Sequence, residues 1–133
     1  MNFSKVFVTA LVLFMSTTLT FAQTDLLTWE GSDENVVRFL NSSNEKNHEF
    51  ALQKIIMNPK ILNSNATEYE IYHMYRSHPN DRIRQMALVA LYRLENYQLL
   101  KNLADDFYKE KNPKIRQQIL CILEEMPVLS KIN

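Results

Sequence analysis

The residues of this sequence that could do chemistry are three histidines, one cysteine and a handful of neighbouring carboxylates. His48, His73 and His78 include no pair at the His-x-x-x-His spacing that puts two imidazoles on one helical face toward a metal. Glu70 and His73 read Glu-x-x-His, which also shares a face, but carboxylate-bridged metal sites in helical bundles need two such copies and two further glutamates. Only one copy exists, and Glu70 is better placed to close a capping box with Thr67. A single glycine, Gly31, allows neither a phosphate-cradling loop nor a Gly-x-Ser-x-Gly elbow. Cys121 has no second cysteine to bridge and no local group that would activate its thiol, so it reads as a helix-borne thiol at or near a packed surface. Asp105 with Asp106, and Glu124 with Glu125, are sequence neighbours about 100° apart on a helix, which makes them solvated faces rather than acid/base pairs. We therefore expect no catalysis, metal or cofactor. Tyr69, Tyr72 and Tyr75 with His73 are the one cluster that a small ligand or an unrecognised reaction could use.

The formal charge is zero, which gives no field to steer the chain toward nucleic acid, so no nucleic-acid partner is expected. Residues 1–22 carry Lys5, then an apolar run from Val6 to Met15, then Thr20-Phe21-Ala22, the order of a secretory signal peptide cleaved before Gln23. The run is short of the roughly 20 residues a membrane-spanning helix needs, so with cleavage no stable membrane insertion is expected. The working protein is then exported, periplasmic or extracellular. A disulfide-free domain leans toward the periplasm.

The elements that must position any site are helices, because breakers are scarce: one glycine and four prolines against 46% hydrophobic residues. Residues 23–32 form an amino-terminal arm whose Leu26, Leu27 and Trp29 would cover the open end of the first helices. Apolar spacing then predicts six helices within residues 33–126, and residues 127–133 are left as a tail. The first spans 33–41 and the second 45–57, ending before Pro59. In the loop 58–66, Ile61 and Leu62 should fold back onto the core. A third helix should run from Glu68 to about Arg76 behind the Thr67/Glu70 box. The fourth, 80–94, capped by Asn80 or Asp81, is the most apolar and central. The fifth, capped by Asn96, should bury Leu100, Leu103, Ala104 and Phe107 and leave Asp105 and Asp106 toward solvent. The sixth should open with Asn112-Pro113, bury Ile115, Ile119, Ile122, Leu123 and Met126, and stop at Pro127.

The even-numbered helices repeat. A shift of 32 residues lays Ile83, Arg84, Gln85 and Leu91 on Ile115, Arg116, Gln117 and Leu123. A shift of 36 lays Asn44 on Asn80 and Ala51 on Ala87, with His48 where Arg84 and Arg116 stand. Asn112-Pro113-Lys114-Ile115-Arg116 resembles the Asp/Asn-Pro-x-Val/Ile-Arg signature that opens the second helix of HEAT-like repeats. Asn80-Asp81-Arg82-Ile83-Arg84 lacks the proline, and Asn44-Glu45-Lys46-Asn47-His48 keeps only the cap. The resemblance implies an all-α array, an α-α superhelix of about three helix pairs. It also implies that Asn80, Arg84, Asn112 and Arg116 bond between neighbouring pairs, and that a partner would dock on the second helices.

Opposite the core stripe, the two shifts align Glu49, Gln53 and Ile56 with Gln85, Val89 and Tyr92, and these with Gln117, Cys121 and Glu124. That patch is the expected binding face for an unidentified protein partner, and the chain reads as a protein-protein interaction module. The rival expectations are a structural or regulatory subunit of a secreted or envelope assembly, and a small-ligand carrier or unrecognised enzyme.

Overall fold

A computed structural model describes residues 32–126 of the chain. The expected signal peptide, the expected arm but for Ser32, and the expected tail lie outside the described residues.

The fold is all-α. Ser32 caps α1 (Asp33–Leu40), its hydroxyl accepting the Asn35 amide at 3.3 Å, and Asp33 and Glu34 set negative charge at the positive helix end. Asn44 caps α2 (Glu45–Met57). A 3₁₀ turn (Pro59–Ile61) follows, and its Ile61 and the next residue, Leu62, pack on the core. Then come α3 (Asn65–Ser77), α4 (Asp81–Leu94), α5 (Tyr97–Lys101), α6 (Leu103–Lys109) and α7 (Pro113–Glu125).

Two boundaries differ from the sequence reading. The third helix starts at Asn65, and Thr67 lies within its first turn, buried in the core at 2% exposure. Ser64 at the cap makes no side-chain bond, so the capping box does not form: burial of Thr67 took its side chain away from the helix end. The fifth helix is two pieces, because at Asn102 the backbone tightens to an i→i+3 bond with the Leu99 carbonyl at 3.1 Å. Beyond that turn Asp106 is buried instead of solvated, where it meets Tyr72 and Arg76.

The helices form three stacked pairs in two layers, with α1, α3 and α5/α6 in one and α2, α4 and α7 in the other. Contacts between the ends of the second helices fix their direction. At the amino ends the Asn80 amide donates to Glu45 at 3.0 Å and the Asn112 amide to Asp81 at 2.6 Å. At the carboxyl ends Arg93 donates to the Ile56 carbonyl at 3.1 Å and Tyr92 to Glu125 at 2.6 Å. The three helices therefore run parallel, side by side. In the middle sits α4, packed on α2, α3, α5 and α7. Its Ile83, Ala87, Leu88, Ala90 and Leu91 are all buried, and the two alanines give its neighbours room for close approach.

One residue sits in an unfavourable conformation. Glu95, at the carboxyl end of α4, has φ 55°, the left-handed region in which a β-carbon crowds the backbone. Replacing Glu95 by Gly should raise unfolding free energy by about 1 kcal/mol, read from the urea midpoint at unchanged slope.

Candidate functional site

The face expected to bind a partner is carried by the three parallel second helices, and their asparagine caps hold it in register. Asn44, Asn80 and Asn112 each accept the amide of the residue two further on, at 3.0, 2.9 and 2.9 Å. Asn80 and Asn112 also reach back to the acidic first residue of the preceding second helix. One side chain thus caps its own helix and ties it to its neighbour. Asn80→Ala should cost about 1–2 kcal/mol, more than loss of the cap at Asn44, whose side chain makes no such tie among the described residues, and the comparison of the two alanine variants by thermal unfolding checks this.

On the exposed side of this layer Ile56, Gln85 and Val89 come together around an open groove between α2, α4 and α7, of about 370 Å³. Arg82, Met86 and Gln118 complete its lining. Glu49 borders it, held by Arg82 at 3.2 Å. Gln118 donates to the Gln85 carbonyl at 3.1 Å and closes one flank. The other expected residues stand apart from the groove. Gln53 on α2 and Gln117, Cys121 and Glu124 on α7 are exposed, with the Gln117 amide 3.9 Å from the Cys121 sulfur. Tyr92 is half-buried, and its hydroxyl is committed to Glu125. That bond, more than desolvation, raises the Tyr92 pKa above its ordinary value.

The sequence reading did not place Arg82, Met86 or Gln118 on the binding face. Gln118 was within reach, since Ile115, Gln118, Ile119 and Ile122 follow the i, i+3, i+4, i+7 spacing of a packed stripe. Arg82 shares that spacing with Gln85, Met86 and Val89, and its length carries it over to Glu49.

Arg84 acts as the strut between the second and third pairs. Its Nε donates to the Tyr75 carbonyl at 2.8 Å, and its guanidinium bonds Glu110 and, at 3.2 Å, Asp81. Burial works against its charge, and the bonds to Glu110 and Asp81 more than offset this, leaving its pKa raised. Arg116, aligned with it, is exposed and makes no such bond among the described residues, where no fourth pair follows α7.

The tyrosine cluster does not converge on a common point. Tyr69 and His73 are exposed, Tyr72 donates to Asp106 at 3.0 Å, and Tyr75 is buried. Desolvation, then the Asp106 and Glu110 carboxylates, push the Tyr75 phenol far above its ordinary range. Among the described residues no group of three or more His, Cys, Asp or Glu is arranged to hold a metal ion, and no helix is long and apolar enough to cross a membrane. Comparison of the chain with protein-family models, with curated proteins and with solved structures returned no match.

Proposed function

We propose that the chain is an exported, HEAT-like helical-repeat module, periplasmic or extracellular, that binds another protein through the outer face of α2, α4 and α7. The observation that supports this most directly is the groove at Ile56, Gln85 and Val89. Three helices of one direction bring an apolar floor and polar rims together on an open surface, the mixture that protein interfaces use at their centre and edge. The export part of the reading rests on residues 1–22, and amino-terminal sequencing of the mature protein tests it, a start at Gln23 being the expected result.

Binding is tested by cross-linked capture of partners from the native cell envelope, with mass spectrometric identification. Val89→Glu places a charge on the groove floor while touching no buried core position, so it should abolish capture with the helical circular dichroism unchanged. Combining Tyr92→Ala with charge reversal at Glu49 and Glu124 should weaken capture across the wider face. If both variants capture the same partners as the natural chain while folded, this face is not the interface.

A further inference from the structure

Each junction between pairs carries a strut at the same repeat position, but the two struts differ in chemistry. Between the second and third pairs Arg84 meets Glu110, and a Glu110 oxygen also accepts the Asn112 amide at 2.8 Å. Move back by the repeat shifts of 36 and 32, and the positions are His48, His78 and Asn80. There His48 Nδ1 lies 3.2 Å from His78 Nε2, and His78 Nδ1 accepts the Asn80 amide at 3.0 Å. His48 Nε2 lies 2.6 Å from the Ser42 carbonyl oxygen. A pair of imidazoles thus replaces an ion pair, across the joint between α2 and the α3–α4 turn.

The partners dictate where each proton sits. A backbone amide can only donate, so His78 Nδ1 carries no proton, and the neutral ring must carry its proton on Nε2. A carbonyl can only accept, so His48 Nε2 carries a proton and His48 Nδ1 is bare. The bare nitrogen then accepts from His78 Nε2–H. The relay runs in one direction, from the Asn80 amide through both rings to Ser42: the Asn80 bond requires a neutral His78, and the bond between the rings requires a neutral His48.

We propose that this relay is an acid-sensitive joint that fastens the first helix pair to the rest of the array at neutral pH and releases it when a ring takes up a proton. Protonating His48 puts its Nδ1–H against His78 Nε2–H, and protonating His78 puts its Nδ1–H against the Asn80 amide. Either event faces donor with donor. Among the described residues no carboxylate bonds either ring. Glu45 and Glu49 of α2 are bonded to Asn80 and Arg82. On the far side His78 lines a cleft with Arg76, Arg84, Lys109 and Lys111, whose two carboxylates, Asp106 and Glu110, are held by Tyr72, Arg76 and Arg84. The cleft is net positive, which disfavours a further cation. Loss of either bond unfastens the joint, so the first helix pair should open more readily in acid than at neutral pH.

The test is native-state hydrogen exchange on the full chain between about pH 8 and about pH 5, a window that brackets imidazole titration, with rates corrected for intrinsic chemistry. The opening equilibrium of α1 and α2 amides should rise about tenfold or more on acidification, ahead of α4 and α7, the effect expected when a partly buried polar contact is lost. A double variant, His48→Arg with His78→Glu, installs the chemistry of the Arg84–Glu110 strut and should flatten that profile. His73→Ala, which removes the exposed histidine, should leave it unchanged. Nitrogen-15 spectra of the natural rings give a readout that needs no variant: both should show the Nε2–H tautomer at neutral pH and titrate together with the opening of α1 and α2. An acid response that persists in the folded double variant would overturn the proposal. So would rings that titrate without any change in α1 and α2 exchange.

Discussion

Arg84→Ala should lower the unfolding free energy by about 3 kcal/mol, near the loss expected when one member of a largely buried ion pair is removed. The reason lies less in the attraction lost than in what is left behind. Glu110 is only 8% exposed in its side chain, and Arg84 15%, so the variant strands a carboxylate whose remaining partner among the described residues is the Asn112 amide. The Tyr75 carbonyl loses its donor as well. Arg84→Lys should recover little, because an ammonium group cannot span both Glu110 and the Tyr75 carbonyl as a planar guanidinium does. Pairing Arg84→Met with Glu110→Gln should recover much of the loss: the amide keeps an acceptor for Asn112 and leaves no unpaired charge. Urea unfolding of the four proteins measures this. A cost for Arg84→Ala below about 1 kcal/mol would place the pair with exposed salt bridges and not with a strut.

Leu91→Ala should be comparably damaging, at about 3 kcal/mol, by a different mechanism. Leu91 is 1% exposed on the one helix packed by both neighbouring second helices, so deletion of its side chain leaves a cavity that neither flank can move to fill without losing its own contacts. For a domain of this size each kcal/mol corresponds to about 4–8 °C in Tm, and the midpoint should fall by roughly 12–24 °C on that scale. Val89→Ala, two residues away on the same helix but half-exposed in the groove, should cost less than about 1 kcal/mol. Together the two substitutions separate core from surface on α4. Equal costs would mean the groove is packed as tightly as the interior.

Much of this architecture is legible in the sequence, and the reason is local. Asparagine before a polar first turn caps α2, α4 and α7 wherever it occurs, and Pro59, Pro79 and Pro127 stand just beyond helix ends, because capping and ring closure are settled within one turn. The limits of α2, Glu45–Met57, follow from those signals alone. Where a local signal competed with burial, burial won. Thr67 and Glu70 satisfy the capping-box pattern, yet the helix extends past them because Thr67 is worth more in the core. Asp106 sits on the polar phase of an unbroken helix, yet the tightened turn at Asn102 brings it to Tyr72 and Arg76.

By itself the sequence determined that the chain would be helical, that α4 would be its centre, and that the second helices repeat, since propensity, capping and apolar period are properties of short segments. The resemblance to HEAT-like repeats also implied Asn80, Arg84, Asn112 and Arg116 as ties between pairs, and the first three make such bonds among the described residues. Only the tertiary structure decided which partners they take: Glu45, Asp81 and Glu110 are 26 to 35 residues away along the chain, and no short segment contains both ends of such a bond. The same holds for the groove, whose lining comes from three helices, and for the imidazole relay. His48 and His78 are 30 residues apart, and as isolated residues they carry no mark of a pair. They became one when stacking placed the first pair against the second, because pairing depends on distance in space and the sequence records only distance along the chain.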